Sequence, residues 1–253
     1  MPPLLFATWL ERTVATAKGV DLFHERPRSR KAALAELKRL IADHFVGEST
    51  VLAMGGFKRA AATILNSLPT TKRIQSGDLA ELIASEYVDA HTAFVVPIKK
   101  LRWKSDRQMP MHGNDVIAVD ASSTPVRALK VESKSRAAFA TAVVTEANET
   151  LDAHEGRPNP STLAFITKRL YEEKRDAEAE VFRKLQGDGA LKPTQIQHLI
   201  FALAGRDPTA LLAAGSKPKR AGIKRSAAAV VVDDHADFIA AAFGTHGARP
   251  TRA

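Results

Sequence analysis

A chain of 253 residues, 45 % hydrophobic and 26 % charged, is long enough to bury one large core or two small ones and has the makeup of a folded globular protein. The absence of cysteine excludes disulfides, zinc ribbons and thiol nucleophiles, and makes a reducing cytoplasm the expected compartment. A formal net charge of +9 favours a polyanionic partner such as nucleic acid, and no stretch approaches the apolar length that a membrane span needs.

The opening stretch MPPLLFATWLERTVATAKG has a short apolar run, an early Glu11 and no basic region before it, so it reads as neither signal peptide nor membrane span. Residues 28–46 carry Leu34, Leu37, Leu40, Ile41 and Phe45 at the period of an amphipathic helix. Residues 49–54 predict a short strand ending at Gly55-Gly56, and residues 57–68 a helix stopped near Pro69. The glycine pair lacks the lysine and hydroxyl of a phosphate loop and reads as a turn. A further helix opens at Gly77, with Ser76 or Asp78 as cap, a buried stripe of Leu79, Leu82, Ile83 and Tyr87, and Glu81 in its first two turns.

Residues 92–97 (TAFVVP) predict an apolar strand. Behind it Lys99, Lys100, Arg102, Lys104 and Arg107 surround Trp103. That pattern suits an edge strand guarded by lysines against aggregation, and equally a phosphate-binding strip with an indole as stacking surface. Its place just before a cluster of acids favours the second.

That cluster lies in residues 111–136. The segments 115–120 (DVIAVD) and 126–134 (VRALKVESK) are rich in β-branched residues and flank the turn formers Ala121-Ser122-Ser123-Thr124-Pro125, which predicts a hairpin. Pairing symmetric about the Ser123–Thr124 bond sets Asp115 across from Glu132, with Cβ atoms about 4.5–5.5 Å apart. Lys134, two residues further on, falls on the same face. Two carboxylates this close repel unless one holds its proton or a cation joins them. A hard cation is the expected resolution, because Mg2+ binds through one or two carboxylates and accepts phosphate oxygens.

Beyond the hairpin, residues 135–154 predict one long helix, broken by Gly156 and the Pro158-Asn159-Pro160 turn. Residues 161–184 predict two helical pieces, capped by Ser161, with Leu163, Ile166, Leu170 and Val181 inward and Gly187 and Gly189 ending them. Residues 194–203 suit a helix or a strand, and their shortness between Pro193 and Gly205 favours the strand. Residues 216–226 form a second basic cluster, a flexible linker or a DNA-tracking loop. A strand over 227–233 and a helix over 235–243 follow, and the tail 244–253 is expected to be disordered. Asp233, Asp234, His235 and Asp237 are explained by helix capping and the helix dipole rather than by a metal. His112 reads as a turn residue, and Ser122 and Ser123 lack the context of a serine nucleophile.

Taken in order, Gly77-Asp78-Leu79-Ala80-Glu81, Val96-Pro97-Ile98 with its basic strip, His112-Gly113-Asn114-Asp115 and Glu132-Ser133-Lys134 resemble the HamA family. These are nuclease subunits of Hachiman anti-phage defence systems, in the PD-(D/E)xK superfamily. The resemblance covers roughly residues 77–139, and Asn114 stands where the superfamily's name puts proline. It implies an α/β, restriction-endonuclease-like core over residues 71–243, a mixed central sheet flanked by helices, behind a mainly helical region over residues 1–70. It implies Mg2+, with Mn2+ as a substitute, held by Asp115, Glu132 and the Ser133 carbonyl with Glu81 assisting, while Lys134 positions the attacking water. It also implies a helicase partner, HamB, that restrains DNA cleavage. The alternatives are a restriction-like or repair nuclease without a helicase, and a nucleic-acid-binding subunit whose acids are structural.

Overall fold

The computed structural model describes residues 4–13, 19–187 and 190–244. In chain order they form α1 (Leu4–Trp9), β1 (Leu10–Thr13), β2 (Val20–Glu25), α2 (Arg30–Phe45), α3 (Glu48–Ala53), α4 (Phe57–Ser67), α5 (Lys72–His91), β3 (Val116–Asp120), β4 (Arg127–Arg136), α6 (Thr141–Asp152), α7 (Pro160–Glu172), α8 (Asp176–Leu185), β5 (Ile196–Ala204), α9 (Thr209–Gly215), β6 (Lys224–Val231) and α10 (His235–Ala242). The strands make one six-stranded mixed sheet in the order β1-β2-β6-β5-β4-β3. β2, β6, β5 and β4 run parallel to one another, and antiparallel hairpins close both edges.

Parallel strands in such a sheet are covered on both faces, which is why residues 199–204 of β5 and 227–231 of β6 are apolar without alternation. Along β5, Leu199, Phe201 and Leu203 enter the core formed with α1, α2, α5 and α10. The intervening Ile200 and Ala202 enter a second core under α6 and α9. A third cluster packs α7 and α8 on Ile117 and Val119 of β3. No helix among the described residues is long and apolar enough to cross a membrane.

The predicted hairpin register is the observed one, with Val116 paired to Val131 and Asp120 to Arg127. Helices α2, α4, α7 and α8 and strands β5 and β6 also fall where the apolar spacing puts them. Elsewhere the structure corrects the reading. Residues 49–53 belong to helix α3 and Met54 caps its end, while its first N–H, at Glu48, donates to the Asp43 carboxylate at 2.9 Å. α5 begins at Lys72 behind Thr71, so neither Ser76 nor Asp78 caps it and Glu81 falls in its third turn. Residues 92–97 form no strand: only Val95 bridges to Val119, and the Val96 N–H is taken by Asp89 at 2.8 Å. β4 continues to Arg136, paired with Ala204, so the following helix starts only at Thr141. Asn159, not Ser161, caps α7 by accepting from the Ser161 N–H at 2.9 Å. Asp234 occupies the N-cap of α10 but makes no side-chain bond to it. The first seventy residues, read as mainly helical, hold α1 to α4 and also supply β1 and β2. The expectation for residues 245–253 lies outside the described residues.

A buried polar knot fastens the end of α6 to the sheet. The fully buried Lys130 of β4 donates to the carbonyls of Leu151 and Ala153 at 2.9 and 3.0 Å, where α6 leaves its last acceptors free. Arg225 of β6, with a fully buried side chain, pairs with Asp152 at 2.6 Å and donates to His198 Nδ1 at 2.8 Å. His198 Nε2 donates to the Gly156 carbonyl at 2.7 Å, which leaves Nδ1 as acceptor and the ring neutral.

Burial first, and the Arg225 and Lys130 charges with it, push His198 down to about 4 against the Gly156 carbonyl. The unfolded ring binds its proton near about 6.5, so between these values the unfolded chain holds more protons than the folded one. This contribution to stability is complete above about 6.5 and lost as pH falls towards about 4, by up to roughly 3 kcal/mol. Urea unfolding at about pH 7 and about pH 4.5 is expected to show this loss in the wild type, and a smaller one in His198→Gln. Equal pH slopes in both would contradict it.

Candidate active site

Helical spacing puts Ile74, Gly77, Asp78 and Glu81 of α5 along one wall of a cleft of about 220 Å3. Asp115, at the mouth of β3, and Glu132, Ser133, Lys134, Ser135 and Arg136 at the end of β4 line the rest. Side chains alternate along β4. Lys134 faces α6, where its ammonium lies 2.8 Å from both Glu132 and Glu146. Ser135 faces α5 instead and accepts from Ser76 Oγ at 2.8 Å. The cleft therefore receives groups from both sides of one strand.

Asp115 extends the hairpin register to a place opposite Glu132. Its Oδ2 accepts from the Ser133 N–H at 2.7 Å and from Ser133 Oγ at 2.8 Å, which sets the carboxylate across the end of β4. The loop before it is pinned from two directions. Lys100, buried, donates to the Asn114 carbonyl and, at 3.3 Å, to that of Asp115. Asn114 itself bonds to Thr162 and Asn159 on the α7 side. Gly113 adopts φ +90°, and a Cβ there would stand 2.2 Å from Thr162 Oγ1, so the motif's glycine is required by both conformation and space.

The electrostatics are those of an acidic site short of cations. Burial pushes the Glu81 carboxyl up to about 8, with Lys100 opposing and Asp115 and Asp78 adding to the shift. Burial likewise pushes Glu132 up to about 8, helped by Asp115 and opposed by Lys134. Asp78 is raised by burial to about 6 even though Lys104 holds it at 2.7 Å. Burial disfavours the Lys134 charge, but Glu132 and Glu146 outweigh it and its pKa is raised.

All four candidate catalytic residues, Glu81, Asp115, Glu132 and Lys134, thus line one cleft, with Ser133 between them. The sequence reading missed Asp78 as a wall residue, Lys100 and Lys104 as internal counter-charges and Glu146 as the second partner of Lys134. The basic residues were legible; their acceptors, far away in the chain, were not. The basic strip is correspondingly not an open one. Lys99 is paired with Asp43 and Glu86 at 2.7 and 2.9 Å, Lys104 with Asp78, Arg102 with the Asp43 carbonyl and Arg107 with that of Asn66. Trp103 lies under the Arg169 guanidinium, 4.0 Å from its ring centre. Of the second basic cluster, Arg220 pairs with Glu155 and Arg225 is buried.

The cleft's donors are oxygens of carboxylates that raise one another's proton affinity, a set suited in kind to a hard divalent cation. Among the described residues no three His, Asp or Glu side chains already stand at ligand spacing; Glu132 is held by Lys134 instead.

Comparison with known proteins adds two findings. A family model described as HamA matches residues 4–243. The Hachiman protein HamA of Bacillus cereus is 29 % identical over 143 residues, 56 % of this chain and 51 % of that protein. The chain thus spans about half the length of the curated relative it matches.

Proposed function

The chain belongs to the HamA family, and from that membership and the geometry of its acidic cleft we propose that it is a Mg2+-dependent, largely sequence-nonspecific deoxyribonuclease. In this reading it is the effector of an anti-phage defence system, restrained by a helicase partner, and its core is of the PD-(D/E)xK type. The observation that carries the proposal is the gathering of Glu81, Asp115, Glu132 and Lys134 around one cleft from α5, the mouth of β3 and the end of β4. Family membership supports the defence role and the helicase.

Asp115 and Glu132 would hold the ion, assisted by Glu81 and the Ser133 carbonyl. When bound, Mg2+ supplies Lewis acidity, easing the ionisation of water and neutralising charge that develops on the phosphoryl oxygens. The chain's own residues do the positioning. Ser133 fixes the Asp115 carboxylate through two hydrogen bonds, and Lys100 fixes the backbone that carries it. Lys134 is a compact ammonium able to approach both the attacking water and the pentacovalent phosphate, and Glu132 and Glu146 set its place. Restraint by a partner follows from the chemistry: a site that grips phosphates without reading bases has no means of its own to spare host DNA.

The test is degradation of supercoiled plasmid by the purified chain, alone and with the co-encoded helicase, in Mg2+ and after EDTA. Degradation in Mg2+ that EDTA abolishes is expected. Plasmid left intact in Mg2+ under both conditions, or degraded equally in EDTA, overturns the proposal.

A further inference from the structure

A second concavity, of about 390 Å3, adjoins the acidic cleft and shares Arg73, Ser135 and Arg136 with it. Its charge is opposite. Lys72 and Arg73 from the first turn of α5 and Arg136 from the end of β4 line it, against a single lining carboxylate, Asp237 of α10. Lys72, Arg73 and Arg136 are all exposed, and among the described residues none of them is paired with a carboxylate. Arg136 donates to the carbonyl of the neighbouring Ser135, at 2.8 Å. They differ in this from Lys99 and Lys104, which are paired with Asp43 and Glu86 and with Asp78 inside the fold.

A polyanion approaching a cleft walled by four carboxylates is repelled unless cations at the rim offset them. The rim shared by both concavities carries Arg73 and Arg136. Spacing agrees. Arg136 lies two residues beyond Lys134 on the same side of β4, about 6.6 Å along the strand. Phosphates of one DNA strand rise about 3.4 Å each. An ammonium at the scissile phosphate and a guanidinium at this distance address phosphates one or two positions apart.

We infer that Arg73 and Arg136, with Lys72 beside them, form a subsite that grips the DNA backbone phosphates flanking the scissile bond. The inference rests on the nuclease reading of the adjoining cleft and assigns the DNA track to this rim rather than to residues 99–107. Arg73 and Arg136 are binding residues here; neither touches the reacting atoms.

The test is binding of the full-length chain to a fluorescent random-sequence duplex, without divalent ions and across a NaCl series. Arg73→Ala with Arg136→Ala is compared with wild type and with a charge-matched pair on α7 and α8, Lys168→Ala with Lys184→Ala. The rim pair is expected to weaken binding about tenfold at low salt and to lower the slope of log K against log [salt] by about 1.8, or about 0.9 for each phosphate no longer neutralised. The control pair is expected to change affinity by less than about twofold, and all variants should melt as wild type because the replaced side chains are exposed. Rim variants that bind as wild type, or a control pair that weakens binding equally, overturn the subsite and leave the nuclease reading standing. A wild-type chain that binds no duplex while degrading no plasmid overturns both.

Discussion

Glu132→Gln is expected to lower Mg2+-dependent plasmid degradation by at least about 10^2- to 10^3-fold, the range seen when one group that stabilises developing charge is removed. The same substitution should leave the folded chain at least as stable as wild type when no divalent ion is present. The reason is the sign of the electrostatics: Glu132 is buried beside Asp115 and raised to about 8, so its surroundings disfavour its charge and a neutral amide relieves that cost. Lys134→Ala should lose activity to a similar degree, since the ammonium that contacts Glu132 and Glu146 disappears. Rates of plasmid loss beside thermal melting curves check both variants. A Glu132→Gln chain that cuts at the wild-type rate would remove Glu132 from the chemistry. One that fails because it unfolds would contradict the electrostatic account instead.

Arg225→Ala is expected to be the most damaging single change away from the cleft, costing about 3–5 kcal/mol by leaving a buried carboxylate without its partner. Asp152 has one oxygen on Arg225 at 2.6 Å and its other oxygen already without a hydrogen bond. Removing the guanidinium also strips donors from His198 and Asn148. For a domain of this size the loss amounts to a fall in Tm on the order of 10 °C. Arg225→Lys should recover only part of it, because a point charge replaces a planar fork that reaches several acceptors at once. A melting temperature unchanged in Arg225→Ala would show that the knot contributes nothing net. Because it anchors α6, and α6 presents Glu146 to Lys134, this distant ion pair also helps hold the site in register.

The parts of the site that lie close together in the chain were legible because strand geometry is periodic. In the hairpin, β-branched alternation and five turn-forming residues fix both faces and register, so Asp115 opposite Glu132 follows from counting. Glu81 could be put on a helix but not at its true depth, because Lys72, Arg73, Gln75 and Ser76, with Gly77 after them, conceal the start of α5. Lone segments were harder. Residues 49–54 and 92–97 are apolar and short, and their periodicity decides nothing; Asp43 makes the first a helical start, and Pro97 with Asp89 leaves the second with one bridge.

By itself, the amino-acid order determined the amphipathic helices, the hairpin and its register, and the presence of an acid, acid and lysine triplet at one end of it. Those depend on interactions within a few residues or across one tight turn. Only the tertiary structure decided which cations are free. Lys99, Lys104 and Arg225 look like surface charges in one dimension, yet each meets a carboxylate distant in the chain and is used up inside the protein. Arg73 and Arg136, unremarked as letters, stay exposed beside the cleft. Charge has no period along a chain, and what a charge does is set by which counter-charge the packed core brings to it.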